Sequence, residues 1–441
     1  MGIFFHYDSY HKGEFMRKQR RKRKSSFIQP FCITLTIVVV TGLLALFSFL
    51  WIIEPARPKD TSHFQLTKEK IEPDAVSEEV VPVTADEQEQ IEEIMDVNDK
   101  YTDILNDPAF MAENNIYARE AGDPEQVSIA FAGDILFDPN YAVMSRLIQS
   151  GGEIANALSP ELLNEMKSVD IMTLNNEFPY SDRGAPTPEK QFTFRAKPSS
   201  VSYLEAMGVD LVSLANNHAY DYGEEAFLDT MDTLREAGIT YMGAGRNLQE
   251  ARRPVYYIIN NLKIAFVAAT QIERLDNPDT RGATDDAPGV FRCWNGGNLL
   301  ETVREADANS DFVIVFLHWG TENTETIDWA QEKQAPEVVA AGADLVIGAH
   351  PHCLQQISMV NGVPVVYSLG NFWFNSKTVD TGMVKVILNE DGLQSLQFIP
   401  CLQSGCKTSL VQGEEKSRIL DYMRSLSGGV QIDEEGYIIK K

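Results

Sequence analysis

Val127-Ser-Ile-Ala-Phe-Ala-Gly-Asp134 decides the fold: its apolar part, Val127–Ala132, reads as a buried strand and stops on a glycine and a carboxylate. The pattern recurs downstream. Ile171-Met-Thr-Leu-Asn-Asn176 ends at Glu177, and Asp210–Leu214 runs into Ala215-Asn216-Asn217-His218. Phe312–Leu317 ends at His318-Trp319-Gly320, and Leu345–Ile347 runs into Gly348-Ala349-His350-Pro351-His352. An α/β sheet binds its ligands at the carboxyl ends of its strands, so polar residues emerging there from separate strands can share one pocket. Asp134, Glu177, Asn217, His318, His350 and His352 are together the ligand types of a divalent metal site.

Around these strands, Leu262–Ala268 and Val365–Tyr367 add further apolar runs, and Glu224–Ala237 and Asp328–Ala341 have the pattern of helices. Such alternation marks an α/β domain. Leu354–Val360, Gly382–Leu388 and Gln394–Ile399, with Asn-Gly and Asp-Gly turns, read as a meander of strands. Two packed sheets with helices outside is the architecture expected for residues 127–400, with 401–441 as a C-terminal extension.

Upstream the composition changes. Arg17–Lys24 is nearly all basic, and Ser25–Ile53 carries no charge. As a helix, Phe31–Ile53 would rise about 34 Å against a hydrocarbon thickness of ~30 Å. Residues 1–26 are therefore expected to be a basic cytoplasmic segment and 27–53 a single uncleaved transmembrane helix, with the body extracellular. A cleaved signal peptide is the alternative, and the length of the apolar core argues against it. Residues 54–126 read as an acidic stalk. Within it Ile91, Ile94, Met95, Tyr101, Ile104 and Leu105 mark an amphipathic helix suited to packing on the domain or on a partner.

The net charge of −26, with the basic residues gathered ahead of the span, makes nucleic acid and anionic lipid poor partners for the body. Five cysteines in 441 residues form no disulfide framework, and only Cys401 and Cys406 are spaced to pair.

Two divalent ions a few ångströms apart need a bridging carboxylate and several histidines, which this chain offers. Taken together, the motifs resemble the CapA family of poly-γ-glutamate capsule synthesis proteins, whose domain is similar to calcineurin-like metallophosphatases. The resemblance spans roughly Val127 to Pro400. It rests on Gly133-Asp-Ile135, Asn175-Asn-Glu177, Ser213-Leu-Ala-Asn-Asn-His-Ala-Tyr-Asp-Tyr-Gly223, Gly243-Ala-Gly-Arg-Asn247, His318-Trp-Gly320, Gly348-Ala-His-Pro-His352 and Ser368-Leu-Gly-Asn-Phe372. It implies a four-layer α/β/β/α sandwich. Asp134 and His352 would hold one metal, Asn217, His318 and His350 the other, Glu177 would bridge them, and His218 would be the general acid. Manganese, zinc and iron all suit that set. Leu136 stands where the phosphatases have a histidine, and Glu177 where they have an aspartate, which weakens the first site and leaves single-metal occupancy open.

Each residue has a plainer reading beside this one. Histidines after buried strands are often hydrogen-bonded core residues, Asp134 and Glu177 could cap loops, and Asn217 could fix a turn. Asp221 reads as a support of the Asn-Asn-His loop, and Trp319 as a ring packed behind His318. Arg195 and Arg246 are candidate clamps for an anionic phosphate or carboxylate substrate, with Asn371 near them in role.

Three functions fit. The first is a membrane-anchored extracellular protein in the synthesis, export or anchoring of an envelope polymer such as poly-γ-glutamate, working with other capsule synthesis proteins. The second is a cell-surface metal-dependent hydrolase of phosphoester or amide bonds, and the third is a non-catalytic scaffold.

Overall fold

The computed structural model of the protein describes residues 100–272 and 280–440; the segments expected to be cytoplasmic and transmembrane lie outside them. Among the described residues no helix is long and apolar enough to cross a membrane. The strands that build the body are β1 (Ile116–Ala118), β2 (Val127–Ile135), β3 (Ile171–Asn176), β4 (Leu211–Ser213), β5 (Thr240–Met242), β6 (Val255–Ile259), β7 (Leu262–Thr270), β8 (Phe312–His318) and β9 (Leu345–Ala349). They continue with β10 (Ile357–Val360), β11 (Val363–Val366), β12 (Asn371–Trp373), β13 (Val379–Asn389), β14 (Gly392–Ser404) and β15 (Lys407–Leu410). One sheet runs β1-β6-β7-β8-β9-β11-β10, and the other β15-β14-β13-β2-β3-β4-β5 with β12 also paired to β2.

The layers follow from the two-residue period of a strand. In β2, Val127, Ile129 and Phe131 face an apolar cluster shared with Ile264, Phe266, Ile314 and Phe316 of the other sheet. Ala130 and Ala132 instead join Leu162, Met166, Phe227 and Met231 from the helices Pro160–Lys167 and Gly223–Glu236. On the far side, Ala265, Val267, Val313 and Val315 pack with Leu299, Val303 and Val338 of the helices Gly297–Asp307 and Trp329–Ala340. Phe131 is wedged at the centre, its ring 6.5 Å from Phe266 and 6.4 Å from Phe316. The result is helix, sheet, sheet, helix, as expected.

Both domain boundaries differ from the sequence reading. Tyr101, Ile104 and Leu105 pack on the outer apolar cluster, as their spacing suggested, and the unforeseen strand β1 pairs in parallel with β6, so residues 100–126 are part of the body rather than a solvated stalk. At the other end β14 continues past residue 400, and the helix Gly413–Leu426 puts Ile419, Leu420 and Met423 into the cluster between the sheets. Its apolar face closes a core that would otherwise be open to water, so residues 401–440 are not an appendage. Cys401, buried in β14, and Cys406, in the next turn, are free thiols.

Candidate metal centre

Register brings the polar ends together. Asp134 of β2 stands level with Asn175 of β3 on one side and Asn371 of β12 on the other, while His318 ends β8 beside Ala349 of β9. Two close approaches allow this. A side chain on Gly133 would strike the Gly370 carbonyl, which accepts from Asp134 N at 3.0 Å. One on Gly348 would strike the Tyr367 carbonyl, which accepts from the Trp319 indole at 3.0 Å. Trp319 is stacked on Tyr367 and packs behind the histidine loop. His350 and His352 have φ of 99° and 57°, a strained conformation for side chains of this size that the surrounding contacts must hold.

Two ligand groups result. Glu177, His318 and His350 form one, and Asp134, Glu177 and His352 the other; within each, the ligand atoms lie within 4.8 Å of one another. His318 Nε2 is 2.8 Å from Asn217 Oδ1, 3.1 Å from His350 Nδ1 and 3.6 Å from Glu177 Oε1. His352 Nδ1 lies 3.1 Å from Asp134 Oδ2. Both oxygens of the fully buried Glu177 lack a hydrogen-bond partner, as does Asn371 Oδ1 nearby on β12. A buried carboxylate with two orphaned oxygens facing imidazoles is costly by itself and is satisfied by a cation. The donor set of carboxylate, amide oxygen and imidazole suits divalent ions of the borderline and hard type.

Electrostatics agree. Burial holds the imidazoles of His318 and His350 well below the ordinary histidine value, and neighbouring histidines push the same way, so both are neutral nitrogen donors. Burial also acts on His352, but the Asp134 carboxylate outweighs it and raises that ring. Burial pushes the Glu177 carboxyl well above its ordinary value, and the nearby Asp134 charge adds to the rise. A cation between these groups would reverse that last shift.

The loop carrying His218 is fixed from several sides. Asn216 donates to Asn175 Oδ1 at 3.0 Å and to the Asn176 carbonyl at 2.9 Å, and it accepts from His218 N at 3.0 Å. His218 Nδ1 is 2.7 Å from Asp221 Oδ2, and the Phe194 ring lies 4.2 Å from its imidazole. Burial lowers the His218 pKa, with Asp221 opposing. Sequence reasoning saw Asp221 as loop support and missed Lys190, whose buried ammonium is 2.5 Å from Asp221 Oδ1 and also donates to the Asn217 carbonyl. It missed Asn175 as well, which donates to Asp134 Oδ1 at 2.7 Å. Of the substrate candidates, Asn371 is at the centre. Arg195 lies on the flank of the His218 loop, its guanidinium 4.2 Å above the Tyr222 ring. Arg246 is not brought to the ligands: it pairs with Asp232 at 2.7 Å and lines a separate cavity. Leu136 is fully buried among apolar side chains and supplies no ligand.

Comparison with known proteins gives the family of the sequence. The model of the family described as bacterial capsule synthesis protein PGA_cap matches residues 128–376. The capsule biosynthesis protein CapA of Bacillus anthracis is 29% identical over 310 residues, covering 67% of this chain and 72% of that protein. The PGA biosynthesis protein CapA of Bacillus subtilis is 28% identical over 281 residues, covering 62% and 71%. Among solved structures, a 5'-nucleotidase from Candida albicans aligns over 62% of this chain and 51% of its own at 12% identity, with a TM-score of 0.35. With more than half its length matched by the family model, the chain belongs to the bacterial capsule synthesis protein family PGA_cap.

Proposed function

We propose that this protein acts in the synthesis, export or anchoring of an anionic envelope polymer such as poly-γ-glutamate, with one or two divalent cations at the Glu177 centre. The observation that carries the metal part is Glu177, common to both ligand groups and unpaired at both oxygens. The family assignment and the names of the Bacillus relatives support the polymer part. The basic run before an uncharged stretch supports a membrane anchor with the body outside, where a polymer would emerge. Metal content per full-length chain, read by elemental mass spectrometry after manganese, zinc or iron supplementation, tests the centre. Stoichiometric metal that falls in His318→Ala and His352→Ala is the expected outcome; metal-free protein under all three conditions would sink it.

A second reading, a metal-dependent hydrolase of phosphoester or amide bonds, is favoured by the His218–Asp221 pair beside the ligands. Bound divalent ions would supply an acidified water and polarise the substrate. Asp221 accepts from the Nδ1–H of His218, which leaves Nε2 as the ring atom that takes up a proton and returns it to a leaving group. The pairing stabilises the protonated ring in between. This reading expects turnover that stops with chelation and falls about a hundredfold or more in His218→Ala. Turnover indifferent to both changes would exclude it.

A further inference from the structure

The edge strands of the two sheets, β1 and β5, line a common cavity of about 540 Å³ that contains none of the metal-centre residues. Ligand sites commonly fall in the range of about 300–1,000 Å³. Its wall mixes the polar Asn115 and Glu250 with Met111, Tyr117, Ile239 and Tyr241, while Arg235, Arg246 and Arg253 stand exposed around it.

Three arginines from separate elements are unusual on a chain of net charge −26. Their counter-charges are few. Arg235 and Arg246 both lie 2.7 Å from the same oxygen of Asp232. Glu250 accepts the Arg246 backbone N–H at 2.8 Å, and Arg253 donates to the Glu113 carbonyl at 3.1 Å. Asp232 is the carboxylate paired with Arg235 and Arg246, and the Arg253 guanidinium has no carboxylate partner among the described residues. The backbone adds a second kind of recognition. Thr240 N donates to Asp210 O and Leu214 N donates to Met242 O, which leaves the N–H and C=O of Tyr241, between them, on the open side of the sheet edge.

We propose that this cavity binds an extended amide-linked polyacid: its carboxylates meet the guanidiniums and its amides meet the Tyr241 edge. Polyphosphate would satisfy only the arginines. The choice of a polyacid rests on the envelope-polymer reading above, and it resolves how so acidic a body could hold such a chain. Attraction is then local to the guanidiniums of this cavity, on a chain whose net charge is −26.

The test is a fluorescence-anisotropy titration of the full-length chain with a fluorescein-tagged oligomer of ten γ-linked glutamates at low salt, with EDTA or with manganese. Binding that persists in EDTA, is unmoved in His318→Ala and weakens about tenfold in Arg246→Gln/Arg253→Gln is expected. Because Arg253 is exposed and pairs only with a carbonyl among the described residues, Arg253→Gln alone should weaken binding at an unchanged melting temperature. Equal affinity of the arginine variants and the parent, or binding lost with EDTA, would overturn the cavity while leaving the polymer reading intact. Equal competition by polyphosphate of matched charge would overturn the amide-linked ligand. No binding under any condition would remove both the cavity and the polymer reading.

Discussion

Lys190 is the residue on which the His218 loop leans. Its side chain is 6% exposed and faces the fully buried carboxylate of Asp221, which in turn holds His218 and accepts from Phe194 N at 2.7 Å. Removing one member of a buried ion pair strands the other charge, at a cost of about 3–5 kcal/mol. Lys190→Met should therefore destabilise by that amount, and Lys190→Met/Asp221→Asn by clearly less than the sum of the singles. Urea unfolding of the four proteins gives the coupling, and strictly additive losses would refute it. The candidate ligands were legible in the sequence because each lies at or just beyond the carboxyl end of a strand, and a strand end fixes where a side chain emerges. Lys190 was not, since it lies 31 residues before Asp221 in a loop without periodicity, and only the folded chain brings the two together. Arg246 is placed away from the candidate centre for the opposite reason: its motif resembles a site motif, but it follows strand β5 at the sheet edge and lines the separate cavity there.

The element that begins the described chain packs on the domain, as its apolar spacing suggested, while strand β1 behind it went unseen. Asp311 accepts from Tyr101 Oη at 2.6 Å and from Lys263 N at 2.8 Å, and it pairs with Lys100, so it ties residues 100–101 to the start of β8. Burial would raise the Asp311 pKa, but these donors outweigh it and hold the carboxyl below the ordinary 3.8. A depressed carboxyl stabilises the folded form above its unfolded pKa, and that contribution fades as pH falls through the lower folded value. Segment 100–118 should thus loosen below about pH 4, and Asp311→Asn should loosen it at neutral pH. Hydrogen exchange over these residues reads this directly, and unchanged protection in the variant would count against it. A three-residue strand such as β1 has too short an apolar run to be seen in sequence. The nine-residue β2 and β7 were plain, because alternating faces and full burial leave a continuous apolar signature. Phe131, central to that signature, should cost about 3–5 kcal/mol as Phe131→Ala in a thermal or urea melt.

At the scale of the whole molecule, the four layers were readable because strands and helices alternate, whereas the limits of the body were not. Its first strand and its last helix are amphipathic pieces whose apolar side is meaningful only against the sheets. The centre itself draws on both sheets: Glu177 follows β3 of one, and His318 ends β8 of the other. A cation there would be a rivet through the two halves of the sandwich, joining strands that otherwise meet through greasy side chains and a few hydrogen bonds such as His318–Asn217. Such a rivet reports on itself without any substrate. At a hundredfold excess over its Kd it would add about 2.7 kcal/mol to the folded state, so stripping it should lower the melting temperature and refilling it restore the loss. His318→Ala, which removes a ligand from one of the two groups, should regain less of that loss on refilling than the parent.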